Sequence, residues 1–205
     1  GTFDGEHFTA ESVQKPEIGP NYYAPQSFED EKGRRIVMAW MTPWGQPEDT
    51  DGVRCGCLTL PRVLTQDGTG RLLQAPAAEL NALRGEVRQP ADGETVETDP
   101  CFDLTASPAG DFVLTIANGL TLTYTEADRT CTLRFTDAAI AAGRTERKAV
   151  LDAPCRSLRV VGDASSLEIF LNDGAAVLST RYYPAAGKVA VQLCGADSTL
   201  YSLSI

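Results

Sequence analysis

The chain has 205 residues, of which 42% are hydrophobic and 22% charged, and its formal net charge is -10. That is enough chain to bury a core without disulfides or a metal, and its acidity repels phosphate backbones, which argues against a nucleic-acid partner. No apolar run approaches the roughly 18 residues of a membrane span, so no integral membrane protein is expected.

Taken in chain order, the first 75 residues read as strands: Tyr22 to Phe28, Ile36 to Met41, Val53 to Leu60 and Arg71 to Gln74, with turns at Glu31-Lys32-Gly33 and Asp67-Gly68-Thr69-Gly70. This is about enough for one four-stranded sheet, which by itself exposes two faces and two edges and should pack on something. Next comes one helical candidate. Pro76 stands at the first turn, Ala77 to Arg84 follow, and Gly85 lies just past the end.

From about residue 86 the spacing predicts eight or nine short strands. Phe112, Leu114 and Ile116 share one face. Leu120, Leu122 and Tyr124 alternate with threonines, and Cys131, Leu133 and Phe135 repeat the pattern. Leu167 to Leu171, then Asn172-Asp173-Gly174, then Ala175 to Leu178 reads as strand, tight turn and strand, the Asp-Gly pair supplying the positive φ. Val189, Val191 and Leu193 form one further row, and Tyr201, Leu203 and Ile205 the last. Period-2 patterning without a long helical repeat predicts an antiparallel β-sandwich.

The six cysteines, Cys55, Cys57, Cys101, Cys131, Cys155 and Cys194, are scattered, several of them in apolar runs. They suit small buried side chains in a reducing compartment, the cytoplasm, better than a disulfide framework. No leader peptide is read at the start, and an N-terminus without Met is compatible with trimming.

Several blocks carry a family resemblance. Gly19-Pro20-Asn21-Tyr22-Tyr23-Ala24-Pro25-Gln26-Ser27-Phe28 is first, then Arg34 to Met41 with Trp44 four residues after Trp40. Gly56 to Arg62 and Arg71 to Pro76 with Glu79-Leu80 follow, and Ser165 to Gly174 with Arg181-Tyr182-Tyr183-Pro184 comes late. In this order the chain resembles the C-terminal part of family 32 of the glycoside hydrolases, the invertases, sucrose-6-phosphate hydrolases and fructan hydrolases. The resemblance implies an all-β fold: residues 1–75 as the last blade of a β-propeller, 76–85 as a linker helix, and 86–205 as a C-terminal β-sandwich. It implies a sugar substrate, a β-fructoside, met through the parent enzyme. The missing N-terminal propeller blades are then the structural partner. No cofactor and no metal is implied.

Retaining fructoside hydrolysis needs a carboxylate nucleophile and a carboxylic acid roughly 5–5.5 Å apart. The family carries them in a Trp-Met-Asn-Asp-Pro-Asn-Gly motif and a Glu-Cys pair, with a stabilising Asp in Arg-Asp-Pro. None of the three occurs here. Asn172-Asp173-Gly174 is read as a turn, and Thr98-Asp99-Pro100 has Thr in place of Arg. No catalytic residue is assigned. Substrate-binding candidates are Trp40, Trp44, Tyr23 and Gln26, because an aromatic surface suits the apolar face of a sugar ring; packing between sheets is the other reading. The family usually has Asp where Asn21 stands.

His7 is the one histidine and has no triad around it. Cys55-Gly56-Cys57 lacks a second ligand pair at zinc spacing. Glu168 is expected on a solvated strand face, and Arg144 to Lys148 in a solvated loop or strand start. Two further roles for the β-sandwich stay open, a lectin-like sugar-binding module and a homo-oligomerisation surface.

Overall fold

A computed structural model describes residues 1–15, 17–42, 56–185 and 187–204, and the structural statements below concern those residues. It is nearly all β, and every strand pairing is antiparallel. The chain opens on a two-stranded hairpin, β1 (Thr2–Phe3) with β2 (Phe8–Thr9), which pairs only with itself and leaves Phe3 and Phe8 exposed. A five-stranded sheet follows: β3 (Tyr23–Glu29), β4 (Arg35–Met41), β5 (Cys57–Leu58), β6 (Arg62–Gln66) and β7 (Leu72–Pro76), ordered β3-β4-β6-β7 with β5 also on β4. The strand expected over 53–60 begins outside the described residues. Strand β6 and the opening hairpin had no sequence signal strong enough to read.

The remaining strands are β8 (Arg84–Arg88), β9 (Thr95–Thr98), β10 (Phe102–Ala106), β11 (Phe112–Ile116), β12 (Leu120–Thr125), β13 (Thr130–Phe135), β14 (Glu146–Val150), β15 (Leu158–Asp163), β16 (Ser166–Leu171), β17 (Ala176–Arg181), β18 (Val189–Cys194) and β19 (Ser198–Leu203). They build two six-stranded sheets, β17-β16-β15-β10-β19-β8 and β14-β13-β12-β11-β18-β9. The twelve strands exceed the eight or nine expected, because β8, β14 and others present mixed or polar faces that give no clean alternation.

Leu104, Val160, Ile169 and Leu178 of the first sheet and Leu114, Leu122, Leu133 and Val191 of the second belong to one apolar core. Alternation puts them there. In β12, Leu120, Leu122 and Tyr124 are buried while Thr121, Thr123 and Thr125 are only partly covered. Phe112 and Tyr124, directly paired across β11 and β12, stack with centroids 5.4 Å apart. The Tyr124 hydroxyl donates to Glu126 and accepts from the Cys155 N–H, so its polar end is satisfied.

The first six-stranded sheet is covered on its other face as well. Val161, Phe170 and Val177 pack there against Leu60 and Leu80, which come from the loop before β6 and from the connecting helix. This corrects the expectation for Glu168. It is 3% exposed, because β16 and β17 are buried on both faces. The edge of β17 is covered too, by residues 17–21: Ile18 donates to Val177 O at 2.9 Å and Asn21 to Ser179 O at 3.2 Å. A Cβ on Gly19 would stand 2.3 Å from the Ser179 backbone, so this close approach requires glycine.

The helix expected from Pro76 to Gly85 is a shorter 3-10 turn, Ala78–Leu83. Pro76 ends β7 and Gly85 lies inside β8, so neither residue caps it. Proline is tolerated there because β7 is an edge strand. A second short helix, α1 (Ala138–Ala141), is capped by the Asp137 carboxylate, which accepts from the Ala139 N–H at 2.8 Å. No described helix is long and apolar enough to cross a membrane. The five described cysteines are unpaired.

Candidate functional site

Strands β3 and β4 carry the predicted aromatic face. Tyr23 pairs directly with Trp40, and their rings meet edge to face, centroids 6.4 Å apart and planes at 62°. The next pair is Gln26 with Met38, so three residues of β3 span two of β4. That extra residue is a β-bulge at Ala24-Pro25, where Ala24 takes φ +47°. Trp40 and Met38 are two apart and share a face, so the bulge keeps Tyr23 and Gln26 together on it.

β3 is exposed along its whole length, with Tyr23 at 49% and Phe28 at 53%. Gln26 also borders a cavity of about 220 Å³ with Tyr22, Pro25, Ser27 and Val37. The structure therefore brings Tyr23 and Trp40 together and places Gln26 beside this cavity; Trp44 lies outside the described residues. A larger cavity, about 840 Å³, lies elsewhere, at one end of the first six-stranded sheet beside Thr105, Arg159, Ser198 and Thr199. Its one aromatic liner, Phe170, is 3% exposed and offers no open ring for stacking.

The opposite face of β4 holds a charge cluster the sequence did not reveal. Val37, odd in register to Met38 and Trp40, pairs with Arg62 on β6. The Arg62 side chain is fully buried and points at the first six-stranded sheet. Its Nε and Nη2 donate to Glu168 Oε2 at 2.9 and 2.6 Å, and Nη1 donates to Glu17 Oε2 at 3.0 Å. Ser179 Oγ and Gln74 Oε1 accept from the same guanidinium at 2.5 and 3.3 Å. Tyr22 and Phe170 rings lie on it, each centroid 5.3 Å from Cζ.

Glu168 Oε1 accepts from the Leu60 N–H, while Glu17 Oε1 accepts from the Ser179 N–H at 2.7 Å. Burial pushes the Glu168 carboxyl above its usual value, with Arg62 opposing. Burial alone would lower the Arg62 guanidinium, but Glu168 and Glu17 outweigh it and raise it. Two carboxylates thus gather on one cation, yet with side-chain exposures of 3% and 4% no sugar can reach them. They are structural.

Asn21 is a second buried tie, 1% exposed. Its Nδ2 donates to Thr42 O at 2.7 Å, and its Oδ1 accepts from Arg144 Nε and the Arg181 N–H. Arg144, expected in a solvated segment, is 4% exposed for this reason. Asn172, Asp173 and Gly174 form the turn between β16 and β17, all at positive φ. Asp99 bonds Lys188 Nζ at 2.6 Å on the surface. His7 is exposed beside Asp4. Among the described residues no group of three His, Cys, Asp or Glu could hold a metal ion. One signal could have disclosed Glu168: a charge inside Leu-Glu-Ile-Phe-Leu, where residues on both faces are apolar, calls for a buried counter-ion.

The N-terminal domain of glycosyl hydrolases family 32 matches residues 1–76, and the family's C-terminal domain matches residues 68–205. Raffinose invertase of Escherichia coli is 33% identical over 98% of this chain and 46% of its own length. Sucrose-6-phosphate hydrolase of Staphylococcus xylosus is 31% identical over 89% of this chain and 41% of its own. Among solved structures, sucrose-6-phosphate hydrolase from Lactobacillus gasseri superposes with a TM-score of 0.82 at 20% identity, over 92% of this chain and 42% of that one. Exo-inulinase from Aspergillus awamori gives 0.79 at 18% identity, over 100% and 49%; at these identities the likeness speaks for the fold. The chain spans less than half the length of these relatives, and within that span both family domains follow in order from the first residue to the last: it belongs to family 32 of the glycosyl hydrolases.

Proposed function

We propose that this chain is the C-terminal part of a β-fructofuranosidase, whose whole protein hydrolyses sucrose or another β-fructoside with retention, and that it supports the active site without performing the chemistry. Residues 1–75 then form the last propeller blade, 76–85 the connection, and 86–205 a β-sandwich that braces the blade from behind. The observation that carries this reading is the two-sided character of the five-stranded sheet. One face and β7 are locked to the six-stranded sheet, while β3 is the opposite edge, exposed along its length among the described residues and bearing Tyr23 and Phe28.

An edge of that kind invites pairing and packing with further chain. The edge-to-face pair of Tyr23 and Trp40, with Gln26 beside it, would form part of the sugar-facing wall, joined by Trp44. The unpaired cysteines suit a reducing cytoplasm.

Reducing-sugar release from sucrose, raffinose and inulin should be absent with the purified chain. It should appear when the chain replaces the corresponding C-terminal portion of an active family-32 relative. Hydrolysis that co-purifies with the chain alone would overturn the reading, as would an inactive but well-folded chimera.

A further inference from the structure

We propose that Arg62, held by Glu17 and Glu168, is a charge latch that locks the five-stranded sheet onto the six-stranded sheet and makes the two unfold as one cooperative unit. The three charges come from three separate parts of the chain: the leading segment, β6 and β16. No other ion pair between the five-stranded sheet and the first six-stranded sheet is buried to this degree among the described residues. The apolar contact beside it is small, with Val161, Phe170 and Val177 meeting Leu60 and Leu80. The polar cluster therefore decides whether the two parts stay together.

Its geometry makes it an all-or-none element. Undocking leaves Arg62 without Glu168 and Ser179, leaves Leu60 N–H without its acceptor, and strips the Phe170 ring from the guanidinium. Breaking a buried pair by removing one partner is far costlier than replacing the whole set by apolar groups, because a charge stays buried and uncompensated. Arg62→Met does this, leaving Glu17 and Glu168 facing each other without a cation.

The chain supplies its own reporter. Both tryptophans, Trp40 and Trp44, fall within the first 75 residues. Trp40 stands on β4, so fluorescence follows the five-stranded sheet through it, whereas far-ultraviolet circular dichroism reads all the sheets. In urea the two signals should coincide for the unaltered chain. In Arg62→Met the fluorescence transition should move to lower urea and separate from the dichroism transition, a loss of roughly 100-fold or more in the docking equilibrium.

Acidity gives a second readout that loss of packing alone would not move. The titratable and charged groups facing the site are Glu17 and Tyr22 from the leading segment and Glu168 from β16. Cys57 and Arg181 lie further along and also interact with one another. Without Arg62, Glu168 binds its proton more tightly in the folded chain than in the unfolded one, so docking should strengthen as pH falls from 7 to 5. Where Arg62→Met yields no soluble chain, Ser179→Ala and Glu17→Gln remove single contacts and should separate the two transitions in the same direction, by less. Coincident transitions at unchanged midpoints in all three variants would overturn the proposal, as would an Arg62→Met chain that gains nothing at pH 5.

Discussion

Single residues decide how the parts of this molecule approach one another. Gly174 is the clearest case. It lies in the β16–β17 turn at φ +88°, its carbonyl accepts from the Gln74 N–H at 3.0 Å, and it leaves no room for a side chain: a Cβ would stand 1.9 Å from Gln74 O. Gly174→Ala combines left-handed strain with a collision against backbone that cannot rotate away. The expected loss is about 2–4 kcal/mol, measured as a lower urea midpoint with the turn displaced from β7. Asn172, at φ +49° in the same turn, tolerates its conformation because its amide oxygen accepts from the Arg156 N–H and its Nδ2 donates to Pro154 O. The sequence announced this turn through Asp-Gly, but a hairpin elsewhere on the surface would have read the same. That it buttresses β7 is a tertiary fact.

At the scale of elements, the open question for any sheet is what its edges and second face meet. β17 is the outermost strand of its sheet and is buried on both faces, so its unpaired backbone edge would invite aggregation if left bare. Residues 17–21 cover it with backbone hydrogen bonds to Val177 and Ser179. Removing residues 1–21 should therefore do more than trim a tail. It uncovers this edge, deletes Glu17 and leaves Arg144 and the Arg181 N–H without Asn21. Light scattering of the shortened chain is expected to rise with concentration, and its thermal midpoint to fall by roughly 10 °C or more.

The same reasoning explains the misread elements. Pro76 and Gly85 look like helix punctuation, yet each sits where a strand tolerates it, one at the last position of an edge strand and the other opposite Ser202. Alternation located the strands whose one face meets a core. It could not separate them from β16, whose Glu168 looks solvated only while nothing is known to lie above it.

For the whole molecule, the common core between the two six-stranded sheets sets the stability that local events draw on. Cys131 and Cys155 lie in that core, and burial pushes their thiols up to about 12 and about 11. Alkylation requires the thiolate, so at pH 8 a raised thiol is nearly all protonated and also shielded. Cys194 is exposed. Mass analysis after a brief pulse of iodoacetamide should find Cys194 modified in the folded chain. Cys131 and Cys155 should be modified only in denaturant, together with the dichroism change. Early labelling of Cys131 would mean that the core opens without global unfolding.

The order of apolar and polar residues along the chain was sufficient to establish an all-β protein, its main hairpins, its family and the absence of the family's catalytic motifs. Each of these depends on neighbours in sequence, where side-chain alternation and turn chemistry act. The pairing of Tyr23 with Trp40 across a bulge, the sealing of Glu17 and Glu168 around Arg62, and the covering of β17 were decided by the tertiary structure alone. They depend on which surfaces meet after the sheets have formed, and a charge reads the same in sequence whether water or a guanidinium will face it.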